Sequence, residues 1–340
     1  MRGVVGNLHA QAILERALAS GQARHAYLLH GPEGVGKLTL ALAFAQAALC
    51  QRRQPGESEA CGECVSCRKV AHGNHPDLAM IEPEKDKRWL SVEIMREMQR
   101  LVSLAPTESA YRIFIIPQAE RIQERYAHTL LKTLEEPPEG VIILLLAVDA
   151  DSLLPTILSR CQMIPLRPLS VEEVSLALRD RWGLAPAAAD ALAGLANGRL
   201  GWAVRAHEHP EAQAERERLL ERIISLVGAP VDERMRVAAS LGPDNAAARV
   251  TLLLWITWWR DVTLAANGAR GLSSSGAARR EAEQAGAAIG PEPARQFLDA
   301  LIAALASMDI NANPRLTLEN LALALPSPPA GLRRRASVRP

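Results

Sequence analysis

An α/β domain with a parallel sheet, continued by an all-helical segment, is the fold class this 340-residue sequence predicts. Three observations carry it. Short apolar segments alternate with helical patterns up to about residue 165. A glycine-rich turn joins the first strand pattern to the next helix. Beyond that point only helical periodicity remains. The length suits two or three domains at roughly 100–200 residues each. Hydrophobic residues make up 48% and charged residues 23%, which excludes a largely disordered chain. Aromatics at 4% suit a helix-rich chain better than a β-sandwich. With 39 basic and 38 acidic residues the net charge is +1, so a globally basic nucleic-acid coat is excluded, although a local basic face is not.

Taken in order, His25-Ala26-Tyr27-Leu28-Leu29-His30 reads as a short strand, and residues 38–49 read as the helix after the glycine turn. Asp77-Leu78-Ala79-Met80-Ile81 is a second strand. Ile113-Phe114-Ile115-Ile116 is a third, compact and β-branched. Residues 141–148 are apolar on both faces, as a strand inside a parallel sheet must be. Helices are expected over 92–102 and 119–136; the second stops at Pro137-Pro138, which cannot continue it. Pro165 and Pro168 mark the change to helices, and Ser170-Val171-Glu172-Glu173 is a capping box opening the next one. Gly198 and Gly201 read as breaks between helices, and Gly228-Ala229-Pro230 as a linker. No internal repeat is present, and residues 326–340, rich in Pro, Arg and Ser, read as a disordered tail.

No segment has the ~18 uncharged apolar residues of a membrane helix, and the N-terminal residues lack the apolar core of a signal peptide. The expected location is therefore the cytoplasm, with no membrane partner. In that reducing compartment, clustered cysteines point to metal before disulfides.

Gly31-Pro32-Glu33-Gly34-Val35-Gly36-Lys37 follows a strand and opens a helix. In that context backbone N–H groups cradle phosphates and the lysine reaches the outer ones. The candidate nucleotide-binding residues are Gly31, Gly34, Gly36, Lys37 and Thr39; the alternative is a glycine turn that binds nothing. A working loop places Ser or Thr directly after the lysine to ligate Mg²⁺. Here that residue is Leu38, and Thr39 comes one position late. The strand at 113–116 should be followed by an acidic residue, but Pro117-Gln118 follow, with Glu120 three residues beyond the expected place. Both losses remove Mg²⁺ chemistry. ATP binding through the loop is left open, and hydrolysis there is not expected.

Cys50, Cys61, Cys64 and Cys67 form C-x₁₀-C-x₂-C-x₂-C. Two successive C-x₂-C spacings let thiolates converge, and the fourth completes a tetrahedral set for Zn²⁺. Four thiolates leave no open position, so such a site is structural. Free thiols or a redox pair are the rival readings. His72 and His75 lie nearby as candidate substitute ligands, with surface loop histidines the simpler reading, and Cys161 reads as a small buried residue.

These pieces together resemble the clamp-loader subunits of bacterial DNA polymerase III, members of the AAA+ family. The resemblance rests on the strand and loop at 25–37 with the cysteine module inserted after the next helix, and on Leu130-Leu131-Lys132-Thr133-Leu134-Glu135-Glu136-Pro137-Pro138. It rests also on Leu153-Leu154-Pro155-Thr156-Ile157-Leu158-Ser159-Arg160-Cys161, with its Ser-Arg-Cys, and on Asn311-Ala312-Asn313-Pro314-Arg315-Leu316. It covers about residues 3–325. Within the family the chain is most similar to the delta-prime branch. The motor subunits gamma and tau keep the Thr and the acidic residue that this chain lacks. Ala147-Val148 stand where motor subunits carry sensor-1 threonines, and Trp202 stands where a sensor-2 arginine is expected, with Arg199 a substitute at a different place.

The resemblance implies an AAA+ P-loop domain over 1–165 with a zinc module at 50–67, a helical lid over 166–208 and a helical collar over 209–325. It implies that Arg160 is an arginine finger acting in trans on a neighbour's ATP; without the family match, a surface arginine would be the simpler reading. Implied partners are the gamma/tau motor subunits, the delta subunit and, through the complex, a sliding clamp and primer-template DNA. An active motor subunit of the same machine, or a nucleic-acid-binding zinc module, are the competing functions. Trp255, Trp258 and Trp259 are expected in helical packing rather than in a base-stacking platform. Lys85, Lys87 and Arg88 read as a solvated loop, and Arg333-Arg334-Arg335 as part of the tail.

Overall fold

The computed structural model describes residues 1, 3–84, 89–269, 278–308 and 312–327. The basic clusters at 85–88 and 333–335, Asn311, and the tail beyond residue 327 lie outside the described residues. The chain divides into two compact units, Met1–Arg205 and Ala206–Pro340. No described helix is long and apolar enough to cross a membrane.

The first unit opens with α1 (Leu8–Ala19), β1 (Ala26–His30), α2 (Lys37–Ala48) and α3 (Val65–Ala71). Then follow β2 (Leu78–Met80), α4 (Val92–Val102), β3 (Arg112–Ile116), α5 (Glu124–Glu135), β4 (Val141–Ala147), α6 (Pro155–Leu158) and β5 (Gln162–Pro165). The five strands pair in parallel in the order β2-β3-β4-β1-β5. Period-two alternation assigns each strand residue to a face. Tyr27, Leu29, Ile113, Ile115, Leu144 and Leu146 pack with Leu40 and Phe44 of α2 and Leu14 of α1. Leu28, Phe114, Ile116, Ile143 and Leu145 pack on the other face with Met95 and Met98 of α4 and Leu130 and Leu134 of α5. Every residue of β4 is buried, as its apolar run requires.

The strands expected at 25–30, 77–81, 113–116 and 141–148 form, with ends shifted by a residue or two. Two elements lie outside the expectations. β5 reads weakly because an edge strand needs only one buried position, here Ile164. α1 begins at Leu8, itself exposed, after Asn7 in the left-handed region. The helix expected from 119 begins at Glu124, because a single 3₁₀ turn (Ala119–Arg121) carries the chain off β3 first.

Three helices complete this unit: α7 (Val171–Trp182), α8 (Pro186–Ala196) and α9 (Leu200–Glu208), the last running across the division. The expected capping box is present: Ser170 Oγ accepts from Glu173 N, and the Glu173 carboxylate accepts from Ser170 N. Gly198 (φ +76°) does break the chain between α8 and α9. Gly201 does not; it lies within α9, where its lack of a side chain serves a close approach described below.

The second unit is helical among its described residues: α10 (Pro210–Ser225), α11 (Val231–Leu241), α12 (Asn245–Ala266), α13 (Arg279–Ile289), α14 (Pro291–Met308) and α15 (Pro314–Ala324). The expected linker at 228–230 is the turn between α10 and α11. Trp255, Trp258 and Trp259 are buried in the core of this unit with Leu252, Val262, Phe297 and Leu301, so they form no stacking platform. Ser327, at the start of the expected tail, accepts a hydrogen bond from Arg234 Nη2 at 2.8 Å.

Candidate functional site

The glycine turn leaves β1, which lies between β4 and the edge strand β5. Gly31, Gly34 and Gly36 all have positive φ, and Gly36 caps α2. A Cβ on Gly31 would stand 2.2 Å from the Leu166 carbonyl oxygen, so only glycine fits there. Lys37 turns back on its own loop: Nζ donates to the carbonyls of Gly31 at 2.5 Å and Pro32 at 3.0 Å. Burial lowers its pKa, opposed by the charges of Glu120 and Glu33. Leu38 and Thr39 are both exposed.

The 3₁₀ turn after β3 has a consequence the sequence did not disclose. It brings Glu120 close enough for its charge to act on Lys37, and leaves its Oε2 buried with no hydrogen-bond donor among the described residues. Pro117 and Gln118 occupy the chain positions directly after the strand.

α9 packs on the loop. Gly201 N donates to Gly34 O at 2.8 Å, and Arg205 pairs with Glu33 at 3.6 Å. The residue of α9 that bonds the loop backbone is Gly201, the neighbour of Trp202. Trp202 is half-buried and packs on the helical cluster with Leu169 and Val174. Arg199 spends Nε on the Ala196 carbonyl at 3.1 Å. Ala147 is buried and Val148 exposed, and neither offers a hydroxyl.

Arg160 follows α6 and is half-buried. Its Nη1 donates to Thr156 O at 2.9 Å and to Ser159 Oγ at 3.2 Å, and its Nη2 pairs with Glu135 Oε1, at the end of α5, at 2.7 Å. Cys161 beside it is half-buried rather than fully buried, and burial pushes its thiol up to about 12.

The four clustered cysteines come together as their spacing predicts. Their sulfurs all lie within 4.8 Å of one another, with Cys50–Cys64 at 4.0 Å and Cys61–Cys67 at 3.9 Å. A tetrahedral ion with bonds of about 2.3 Å needs sulfurs about 3.8 Å apart, so this donor set fits Zn²⁺. None of the five cysteines is in a disulfide. Backbone N–H groups also point at the sulfurs, from Cys61 to Cys50, from Cys64 to Cys61 and from Cys67 to Cys64, at 3.3–3.5 Å. Donors of this kind, from Glu63 and Cys64, bring the Cys61 thiol down to about 6, whereas burial pushes Cys67 up. A central cation removes that penalty, since a coordinated thiol is deprotonated outright. What the spacing did not reveal is α3, the helix that Cys64 caps and that carries Cys67.

His75 corrects the sequence reading: it is buried, not a surface residue, and it is not in the cysteine cluster. Its Nδ1 accepts from Asp77 N at 3.0 Å, so the proton sits on Nε2, 2.9 Å from Ser66 Oγ. Ser66 in turn donates to Leu49 O at 2.6 Å. Asp77 accepts from the N–H groups of Thr107, Glu108 and Ser109 and pairs with Arg112 Nη2 at 3.3 Å. This buried network ties the cysteine module to β2 and β3. His72 is exposed, as expected.

The family model described as DNA polymerase III, delta subunit, matches residues 6–170. The delta-prime subunit of DNA polymerase III from Pseudomonas aeruginosa is 34% identical over 259 residues, 75% of this chain and 75% of that protein. The delta-prime subunit from Yersinia pestis is 43% identical over 144 residues, 42% of each chain. The tau subunit of Escherichia coli is 35% identical over 171 residues, 50% of this chain and 26% of tau. The similarity to tau covers half of this chain and about a quarter of tau, whereas that to the Pseudomonas aeruginosa delta-prime subunit extends over three quarters of both partners. On that extent of similarity, the chain belongs to the delta-prime family of DNA polymerase III clamp-loader subunits.

Proposed function

We propose that this chain is the non-hydrolysing member of a clamp-loader ring that places a sliding clamp on primed DNA, and that it presents Arg160 to ATP held by a neighbouring motor subunit. One observation carries the first half: the loop with Lys37 has lost both Mg²⁺ partners, with Leu38 after the lysine and Pro117-Gln118 after β3. Without the metal, charge developing on a transferred phosphoryl group has no divalent counterion in this site and only Lys37 to meet it. Lys37 bonded to its own loop carbonyls supports the same reading, and leaves nucleotide at most a passive occupant. For the second half, the physical support is a guanidinium that stands at the surface beside a Ser-Arg-Cys turn, able to meet a phosphate on another chain.

On this reading Cys50, Cys61, Cys64 and Cys67 hold a structural Zn²⁺ and take no part in phosphoryl transfer. Residues 166–208 serve as the lid, and residues 209–325 as the collar that joins gamma/tau and delta subunits. The chain acts as a fixed part of the ring and contacts clamp and DNA as part of the assembly. An ATP-hydrolysing motor subunit is the second reading, favoured by the tau similarity and opposed by Leu38 and Pro117.

The test is ATP turnover. The isolated chain with Mg²⁺ is expected to be silent. A loader reconstituted with the Arg160→Ala chain is expected to assemble and to turn over ATP several-fold more slowly with clamp and primed DNA. Turnover by the isolated chain would revive the motor reading. An unchanged rate in the Arg160→Ala complex would leave Arg160 without that role.

A further inference from the structure

We infer that Glu135 is a positioning residue for Arg160; the inference rests on the finger reading above. An arginine side chain is rich in rotamers, and an unrestrained finger would have to lose that freedom when it meets phosphate. Here the loss is met in advance from three directions. Nη1 is held by Thr156 O at 2.9 Å and by Ser159 Oγ at 3.2 Å, and Ser159 Oγ is itself fixed by its bond to Thr156 O at 3.1 Å. Those contacts come from the turn that carries Arg160. The third, Glu135 Oε1 to Nη2 at 2.7 Å, comes from a different element, the end of α5.

That contact from outside decides the direction of the guanidinium. The chain cannot continue α5 past Pro137-Pro138, so the last turn of the helix fixes where the Glu135 carboxylate stands. The carboxylate stands 2.7 Å from Nη2 as an ion pair, and Nε has no hydrogen-bond acceptor among the described residues. Nε and Nη2 form the side of the planar fork that can receive two oxygens of a phosphate. Glu135 therefore fixes the guanidinium from outside its own turn and leaves Nε for the ligand. The pair is about one third exposed on the Arg160 side and one half on the Glu135 side, so its worth to folding is small and its consequence is orientation.

The experiment is a double-mutant cycle in the reconstituted loader, with ATP turnover measured against ATP concentration in the presence of clamp and primed DNA. Four chains are compared: wild type, Glu135→Ala, Arg160→Ala and the double variant. Loss of one restraint on a rotamer-rich side chain is expected to lower kcat about two- to tenfold in Glu135→Ala with KM little changed. In the Arg160→Ala background the same substitution is expected to do nothing further, because Glu135 acts through Arg160. Glu135→Gln, which keeps an acceptor, is expected to fall between wild type and Glu135→Ala. Equal thermal stability and ring assembly of the Glu135 variants would exclude a folding effect. If Arg160→Ala slows turnover and Glu135→Ala does not, or if the loss from Glu135→Ala persists without Arg160, the positioning role is overturned while the finger stands. An increase in kcat in Glu135→Ala would also overturn it, since the carboxylate would then be a restraint that opposes engagement. If Arg160→Ala is without effect, the finger and its positioning residue both fall.

Discussion

The backbone N–H of Gly201 donates to the carbonyl of Gly34 at 2.8 Å, which joins the first turn of α9 to the middle of the phosphate loop. Both residues are glycine for the same reason. A Cβ built on Gly201 would stand 3.1 Å from Gly34 O and 3.4 Å from Gly34 Cα; one on Gly34 would stand 3.2 Å from Trp202 N. Two backbones meet here with no side chain between them. A long cationic side chain at 201 would have to enter the space that this contact closes. The loop thus binds a helix of its own chain at a place where other loops of this kind present their N–H groups to phosphate.

Gly201→Ala should therefore destabilise the first unit by about 1 kcal/mol, since the atoms it presses are backbone and yield little. For a unit of this size that is a shift of roughly 2–4 °C in thermal unfolding. Gly194, exposed within α8, is the internal control. Nothing lies within 4 Å of a Cβ built there, so Gly194→Ala should stabilise by about 0.5–1 kcal/mol through helix propensity alone. Two Gly→Ala changes in neighbouring helices with opposite signs would separate close backbone contact from propensity.

Metal removal tests the cysteine tetrad. A ligand present at about 1,000 times its Kd stabilises the native state by about 4 kcal/mol, or roughly ten degrees here. Chelation of the purified chain should lower the unfolding temperature by that order, and Cys64→Ser should abolish the stoichiometric zinc and make the chain insensitive to chelator. Metal analysis that finds no zinc in the wild-type chain, with no response to chelator, would reject the site.

The His75 network predicts a pH dependence with a definite sign. Burial lowers the imidazole pKa below its ordinary value near 6.5, opposed by Asp77 and Glu108 and assisted by Lys69. Above that ordinary value folded and unfolded chains both hold a neutral ring, and the stabilisation is complete. As pH falls through it, the unfolded chain takes up a proton that the folded chain refuses, and stability declines. Denaturant unfolding between pH 7.5 and pH 5.5 (a window set by the direction of this shift and about one unit either side of 6.5) should show the loss in wild type and a flatter profile in His75→Gln. Asp77 acts in a lower window. Burial raises its pKa, but three backbone N–H groups and Arg112 outweigh it, so its contribution is lost only as pH falls below the ordinary carboxylate range near 3.9.

Periodicity and local motifs made most of the first unit legible before its structure. The continuous apolar run at 141–148 marked β4, and Ser170 with Glu173 marked the start of α7, because each signal is complete within a few residues. The cysteine tetrad was legible for the same reason. The Glu135–Arg160 pair was not: both residues stood in segments already singled out, but nothing in either segment says that the end of α5 meets the turn after α6. His75 was misread because burial of a histidine depends on partners, here Ser66 and Asp77, that satisfy both ring nitrogens. Gly201 was misread as a break because the close approach that requires it involves a loop more than 160 residues earlier in the chain.

The tryptophans of α12 supply a prediction for the second unit. Trp259 stacks edge-on against Phe297 with ring centres 4.7 Å apart, and its Nε1 donates to Ala294 O in the first turn of α14 at 2.9 Å. Trp258 lies equally deep, in edge contact with Trp259 at 5.4 Å, but its Nε1 is buried without an acceptor among the described residues. Substitution by Phe removes similar volume from both places and leaves different polar accounts. At 259 it removes the indole bond to Ala294 O, a helix carbonyl that lies within α14, at a cost of about 0.5–1.5 kcal/mol beyond the lost packing. At 258 it removes a buried donor that already lacked a partner, so that penalty disappears with it. Trp259→Phe should therefore lower the unfolding free energy of the full chain clearly more than Trp258→Phe, and Phe297→Ala should cost about 3–5 kcal/mol because it opens a cavity against both Trp255 and Trp259. Equal losses at 258 and 259 would mean that packing alone, and not the bond to Ala294, fixes α12 against α14.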